Sequence, residues 1–476
     1  MTSAQRETGA VAGAKALGVI VAALLAAGGG LIQGFDTGGI SNASASIVAQ
    51  FRLTSALQGV VTSMVLVGAM IGSAIGGLLA DKFGRRTMLI ACGATFCAGV
   101  LIELVSSGLL GLLSGRVIAG LAIGIASCVS TLYISEISPA AKRGGLLSFF
   151  QLAVTIGIVC GILIALMAGQ HPWTWRILLG AGLIPGLILV FGMLAMPETP
   201  AWLHHAGRED SARAALLRLR PPDEVEAEFQ TLKASTEAAH SRKSASSAFA
   251  SPALRLALVA GVGLALIQQI TGINAVMYYA PSIFMAAGFT SADDAIADDL
   301  LLALLLVIVT FIASRLVDRL GRRTLMLWGL GGMVFALIVL GTAFAILGRS
   351  PFIPWLILAG LLLYIAGFAL GPGPCIWLVI AEIYPLEVRG PAMSIATLAS
   401  WLANLFVSST FPAFSHGVGE SNAFYIFCLV SILSWLFTWS LLPETSGRTL
   451  DEVQEIWRER AAVLFRHHHT QKSKAQ

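Results

Sequence analysis

Twelve stretches of this chain run for about 20 residues or more with almost no charge. They fall at about 17–40, 56–80, 87–107, 111–137, 146–169, 177–196, 253–285, 298–317, 324–347, 354–384, 391–414 and 423–442. A helix needs about 20 apolar residues to cross a bilayer. Inside lipid, each backbone amide must find its partner within its own segment. The pattern therefore predicts an all-α membrane protein of twelve transmembrane helices. Composition closes off the alternatives. Only 12% of the 476 residues are charged, against about 25% in ordinary soluble chains. Such a chain cannot cover a soluble surface, which excludes a soluble enzyme, a disordered protein and a small disulfide-stapled domain. The 50 glycines suit helices whose backbones pack closely in lipid.

The gaps between the runs carry the charge, and they carry it unevenly. Alternate gaps collect 25 Lys and Arg on one side and 3 on the other. By the positive-inside rule the rich side is cytoplasmic. Both termini then lie in the cytoplasm, and the lipid bilayer is the main partner. A net charge of +4 is too small to suggest nucleic acid. Cys92, Cys97, Cys128, Cys160, Cys375 and Cys428 all sit in apolar runs without a CxxC pair, and read as small buried side chains. The apolar run after Lys15 leads into GFDTGG rather than a small-residue cleavage site, so it reads as the first membrane helix. The run His467, His468 and His469 reads as a loose tail. No metal site, cofactor or activated nucleophile is evident, and no enzymatic activity is expected.

The halves repeat. DKFGRR at 81–86 recurs as DRLGRR at 318–323, an offset of 237. YISEISPAAKRG, with Glu136 and Arg143, recurs as VIAEIYPLEVRG, with Glu382 and Arg389, at an offset of 246. PETPAW at 197 recurs as PETSGR at 443, again at 246. Each half holds six runs, so both cross the membrane in the same sense. This predicts two parallel-repeat six-helix bundles, 17–200 and 253–442, with a substrate site between them near the midplane. A cytoplasmic N-tail (1–16), a polar linker with short helices (201–252) and a C-tail (443–476) complete the chain. In the tail, Leu450, Val453, Ile456 and Trp457 share one face of an amphipathic stretch.

From about residue 30 to residue 450 the chain resembles the sugar porter branch of the major facilitator superfamily. GFDTG, GRVIAG, the paired E-x6-R motifs, PETPAW, QQITGIN and PETSG carry the resemblance. It implies secondary active transport of a neutral monosaccharide, hexose or pentose, by proton symport across a plasma membrane, that of a bacterium. The transporter would act as a monomer with proton and sugar as its ligands. A facilitative sugar uniporter is the alternative, and a poorly transporting membrane sugar receptor is a third reading. The short C-tail argues against the receptor.

The charges inside the runs are few. Asp36 lies about four residues from the predicted outer end of the first run, and Arg116 about five from that of the fourth. Equal depth makes them natural partners, because a lone intramembrane charge is costly. Glu103 competes for Arg116. The resemblance makes Asp36 the proton acceptor and Arg116 its partner, against a static ion pair. In QQITGIN, Gln268, Gln269 and Asn274 offer donors and acceptors to sugar hydroxyls. Gln269 and Asn274 converge only if the helix bends, which Gly272 permits. Tyr278 and Tyr279 follow. The resemblance adds Gln151 and Trp377 as sugar ligands, with Trp401 a weaker candidate. Two residues depart from it: Leu306 where the family usually has Asn, and Ala201 where it usually has Arg. Asp81, Arg85, Arg86, Glu136, Arg143, Asp318, Arg322, Arg323, Glu382 and Arg389 read as cross-half ion pairs that close an inner gate, against simple helix-end solvation.

Overall fold

The computed structural model describes residues 17–139, 143–169, 171, 173–241, 251–289, 291–384, 388–446, 448 and 452–462. Among the described residues the chain is helical without strands, and twelve helical spans are long and apolar enough to cross a membrane. The helices are α1 Leu17–Phe51, α2 Ser55–Phe83, α3 Arg85–Val105, α4 Leu109–Ile137, α5 Arg143–Ala168 and α6 Thr174–Ala195. Three short ones follow: α7 Pro200–His205, α8 Glu209–Leu219 and α9 Pro222–Ser241. Then come α10 Pro252–Ile270, α11 Ile273–Ala286, α12 Ala292–Leu320, α13 Arg322–Ala345, α14 Ile353–Leu370, α15 Pro372–Ile383, α16 Arg389–Val418 and α17 Glu420–Leu441. The pairs α10–α11 and α14–α15 are single spans with a break. The chain divides into two compact units at Arg242 and Lys243.

In the first unit small residues let helices touch through their backbones. A Cβ on Gly34 of α1 would lie 1.8 Å from the Val154 carbonyl oxygen of α5, and one on Gly38 would lie 2.4 Å from that of Ile158. Between α2 and α4, Gly68 and Gly72 face Val117 and Leu121 in the same way. Lipid gives apolar side chains no incentive to cluster, so this close contact supplies the association. Large side chains such as Leu78, Met167 and Phe191 are turned outward and exposed, as a lipid-facing surface allows.

The first helix is longer than the sequence pattern suggested. It continues past residue 40 to Phe51, so Asp36 lies well inside it. Residues 41, 42, 44 and 46 are polar, yet Ser41, Asn42 and Ser44 are buried. Asn42 Nδ2 donates to the Gly38 carbonyl at 3.0 Å, and Ser46 Oγ to that of Ala43 at 2.9 Å. Ser44 Oγ accepts from Gln58 Nε2 of α2 at 3.0 Å. Polar side chains that bond back to their own helix or to a neighbouring one need not end it.

Helices α7–α9 pack a small core of Leu203, Ala212, Ala215, Leu216, Val225 and Phe229. Buried Arg220 pairs with Glu228 at 2.6 Å and donates to the Ile137 carbonyl at 3.1 Å, tying this cluster to the end of α4. In the second unit, the α10–α11 span breaks at Thr271 and Gly272. Gly272 has φ +95°, which a residue with a Cβ would adopt only under strain. The Tyr364 hydroxyl of α14 donates to the Thr271 carbonyl at 2.9 Å, so the break leaves that carbonyl satisfied. Past α17, the helix at 452–462 buries Val453, Trp457 and Ala461, with Ile456 half-buried. Leu450, the N-tail and His467–His469 lie outside the described residues.

Candidate functional site

Three constellations emerge. The first is an ion pair within the first unit. Arg116 on α4 is fully buried and Asp36 on α1 is 7% exposed. Arg116 Nη1 donates to Asp36 Oδ1, and Nη2 donates to Oδ2 at 3.2 Å. Nη2 also reaches the Thr62 carbonyl of α2 at 3.4 Å. A two-point guanidinium–carboxylate fork is the strong form of such a pair. It joins two helices through a contact that depends on the charge of a single carboxylate. Glu103, the competing partner, is 1% exposed on α3. It and Asp36 line one small cavity, together with Phe35, Gly39, Phe96 and Val100.

The second constellation belongs to the second unit and holds no formal charge. Gln268 Nε2 donates to the carbonyls of Pro372 and Gly373, both at 3.4 Å, at the start of α15. Gln269 Nε2 donates to Ser400 Oγ on α16 at 2.9 Å. Asn274 Nδ2 donates to Gln269 Oε1 at 2.5 Å. The bend at Gly272 therefore brings Gln269 and Asn274 together, which a straight helix could not do. Tyr279 is buried, with its hydroxyl donating to the Ser408 carbonyl at 2.9 Å and its ring stacked on Phe411. That hydroxyl is engaged with α16 in this arrangement. Trp377 on α15 and Trp401 on α16 are half-buried, and Leu306 on α12 is buried. Gln151, half-buried on α5 of the first unit, makes no hydrogen bond among the described residues.

The third constellation appears twice, once per unit. Glu198 accepts from the backbone N–H of Arg85 at 3.1 Å and of Arg86 at 3.0 Å, capping α3. Arg85 Nε meets Glu136 Oε1 at 3.0 Å, and Thr199 Oγ1 donates to Glu136 Oε2 at 2.5 Å. Arg86 Nη2 donates to the Leu194 carbonyl near the end of α6 at 2.7 Å. In the second unit Glu444 accepts from Arg322 N at 2.9 Å and Arg323 N at 3.0 Å, capping α13. Arg322 Nη2 meets Glu382 Oε1 at 3.1 Å, and Thr445 Oγ1 donates to Glu382 Oε2 at 2.6 Å. Arg323 Nη2 donates to the Trp439 carbonyl at 2.7 Å. Gly84 and Gly321 make the caps possible. Their φ values are +96° and +86°, and a Cβ on either would lie 2.4–2.5 Å from the capping carboxylate.

The described ion pairs of Arg85, Glu136, Arg322 and Glu382 each close within one unit. Asp81 is exposed and pairs with Arg85 at 2.9 Å, one turn away. The side chains of Arg143, Asp318 and Arg389 lie outside the described residues.

The sugar (and other) transporter family is matched over residues 22–457. The chain belongs to this family. The galactose-proton symporter of Escherichia coli (strain K12) is 36% identical over 432 residues, which cover 90% of this chain and 92% of that one. The arabinose-proton symporter of Bacillus subtilis (strain 168) is 33% identical over 449 residues, covering 93% and 96%. Among solved structures, the xylose transporter XylE from E. coli in a partially occluded inward open conformation has a TM-score of 0.79 and 30% identity. That match covers 90% of this chain and 99% of the other.

Within this sugar transporter the capping glutamates Glu198 and Glu444, and their neighbours Thr199 and Thr445, are residues that motif reading passed over. The signal was present, because PET recurs at an offset of 246 alongside the paired Glu136 and Glu382. Ser400 and Tyr364 carried no such signal. Each is defined only by what the broken helices bring to it. All six cysteines are free; Cys92, Cys97, Cys375 and Cys428 are buried, while Cys128 and Cys160 are half-buried.

Proposed function

We propose that this member of the sugar transporter family is a proton–monosaccharide symporter of a bacterial plasma membrane, with both termini cytoplasmic. The orientation follows from the 25 to 3 bias of Lys and Arg. The observation that carries the coupling is the buried Asp36–Arg116 fork. With Asp36 ionised, it holds α1 to α4. With Asp36 protonated, the attraction falls and the two helices are released. A proton from the outside thus converts one packed state into another, and the ligand gradient sets the direction. Arginine does not lose its proton in a protein, so the carboxylate is the group that must cycle.

The amides supply the sugar's partners. Gln268, Gln269 and Asn274 present donors and acceptors without the desolvation penalty of charge. They cluster at the break of α10–α11, where unwound backbone commonly meets substrate in discontinuous membrane helices. Trp377 offers a flat apolar face to the ring C–H groups. Leu306 cannot hydrogen-bond, so a sugar in this site has one polar contact fewer than an Asn would give. The paired cap and ion-pair constellations at the GRR ends act as the gating elements on the cytoplasmic side.

Asp36→Asn is the test. It keeps the size of the side chain and removes its titration. In proteoliposomes loaded for counterflow with labelled D-glucose, D-galactose or D-xylose, exchange persists. The initial rate of uptake driven by an imposed pH gradient falls by roughly a hundredfold, the scale of a lost proton-transfer group. Undiminished accumulation in Asp36→Asn would remove this residue from coupling. A wild type that exchanges sugar yet ignores the gradient would instead make the protein a uniporter with a static ion pair.

A further inference from the structure

The pair leaves a problem that the structure answers. Arg116 is fully buried. If Asp36 gains a proton and nothing else changes, the buried guanidinium loses the charge of its fork partner, which is unfavourable. A second anion beside it would solve this. Glu103 is that group. It lies on α3, two residues before the helix ends at Val105, and is 1% exposed. Its Cγ packs over Gly115, the neighbour of Arg116, where an added Cβ would come within 2.5 Å of it. Its Oε1 has no hydrogen-bond partner among the described residues. Its side chain shares a cavity with Asp36 that has room for about one water molecule. A buried carboxyl oxygen without a partner is rare, because proteins pair the polar groups they bury.

We propose that Glu103 is the entry carboxyl of a two-carboxyl proton relay, passing its proton to Asp36 and then serving as the counter-ion of Arg116. The inference rests on the proton-coupled reading above and deepens it. The proton count closes in three steps. Glu103 takes one proton from the outer side while Asp36 remains paired with Arg116, and the site is neutral. The proton then moves from the Glu103 carboxyl to the Asp36 carboxylate, directly or through one water. Glu103, now ionised, faces Arg116, and the site is neutral still. Finally Asp36, freed from α4, loses that proton to the inner side once the protein has turned over. One proton enters, one is transferred and one leaves.

The charged surroundings agree with this assignment. From α1 the titratable group that shares the cavity with Glu103 is Asp36, and from α4 the charge that acts on Glu103 is that of Arg116. From α6 the lining residues Leu178, Leu179 and Gly182 carry no charge. Arg176 at the start of α6 donates to the Leu104 carbonyl at 3.2 Å and the Ser106 carbonyl at 2.8 Å, so its side chain is engaged with the end of α3. Among the described residues the cation that acts on this carboxyl is Arg116, the one Asp36 must release.

The experiment compares wild type, Glu103→Gln and Glu103→Asp as full-length protein in liposomes, with labelled D-glucose, D-galactose and D-xylose. Counterflow and pH-gradient-driven accumulation are measured across pH. The relay predicts that Glu103→Gln retains counterflow while accumulation falls by roughly tenfold or more. Glu103→Asp, which keeps a carboxyl on a shorter stem, retains coupling with a displaced pH profile. Coupling in Glu103→Gln equal to wild type at every pH overturns the relay and leaves the Asp36 reading intact. Loss of counterflow in both variants marks Glu103 as structural and also overturns it. If Glu103→Gln does not fold, Glu103→Asp carries the test alone, and an unchanged pH profile there counts against the relay. If wild type itself takes up no proton with sugar, the coupling reading fails and the relay fails with it.

Discussion

The two units invest in different kinds of polarity at their centres. In the first, Asp36 and Arg116 meet as full charges, with Glu103 close by. In the second, Gln268, Gln269, Asn274 and Ser400 form a neutral network at a break in the helix. A charged pair answers to protons because one partner can be neutralised. An amide network answers to hydroxyls because each member offers both a donor and an acceptor. On the proposed reading the difference is a division of labour: the first half carries the group that senses the driving ion, and the second carries most of the amides offered to the sugar. At the GRR ends the same two units are nearly identical, down to the glutamate that caps each helix. The repeat is kept at the GRR ends and has diverged at the centres of the two units.

This comparison can be broken most sharply at the ion pair. Arg116→Ala leaves Asp36 without its partner in a buried site, and removing one member of a buried pair costs about 3–5 kcal/mol. We expect a marked fall in melting temperature and in folded yield. Asp36→Asn combined with Arg116→Ala should recover part of it, since no charge then remains unpaired. A double variant no more stable than Arg116→Ala alone would show that the pair's charge is not what the fold depends on.

The amide side predicts a smaller effect of another kind. Gln268→Ala removes donors that reach the Pro372 and Gly373 carbonyls. Sugar affinity should weaken by about 1–3 kcal/mol, the cost of an unsatisfied polar partner. The pH dependence of transport should be unmoved. Isothermal titration against D-glucose, D-galactose and D-xylose reports the first, and uptake across pH reports the second. A shift of the pH profile in Gln268→Ala would contradict the separation of roles.

The smallest effect tests the shared feature. Glu198→Gln and Glu444→Gln each weaken a helix cap by about 1–2 kcal/mol, through the lost charge at a helix N-terminus. The two losses should be close, because the helix amides and distances match, with the Glu444 variant losing slightly more since Glu444 also accepts from Ser446 N at 3.0 Å. A loss in one variant only would show that the units rely on their caps unequally.

Much of this was legible from the residues, and what was not has physical causes. The span count, the repeat and the Asp36–Arg116 pairing followed from apolar runs and from the cost of lone charges in lipid. The convergence of Gln269 and Asn274 followed from Gly272, since a straight helix sets them on different faces. The end of α1 was misread because polarity was taken for exposure. Asn42 and Ser46 bond back to their own helix, which a hydropathy pattern does not register. Which glutamate each GRR-end arginine meets was not legible in the sequence for another reason. Arg85 and Arg322 are equivalent in the repeat, as are Glu136 and Glu382, so sequence alone cannot say whether an arginine chooses the glutamate of its own half or of the other.

The capping glutamates impose an order in time as well as in space. Glu198 seals a helix that begins 113 residues before it, and Glu444 one that begins 122 residues before it. A chain emerging from the ribosome therefore inserts α3 with its first amides still bare and must wait for the rest of that half before the seal can form. Contacts this distant in sequence are late events in folding. The nascent protein would thus mature in two instalments, each completed by the last few residues of its own half.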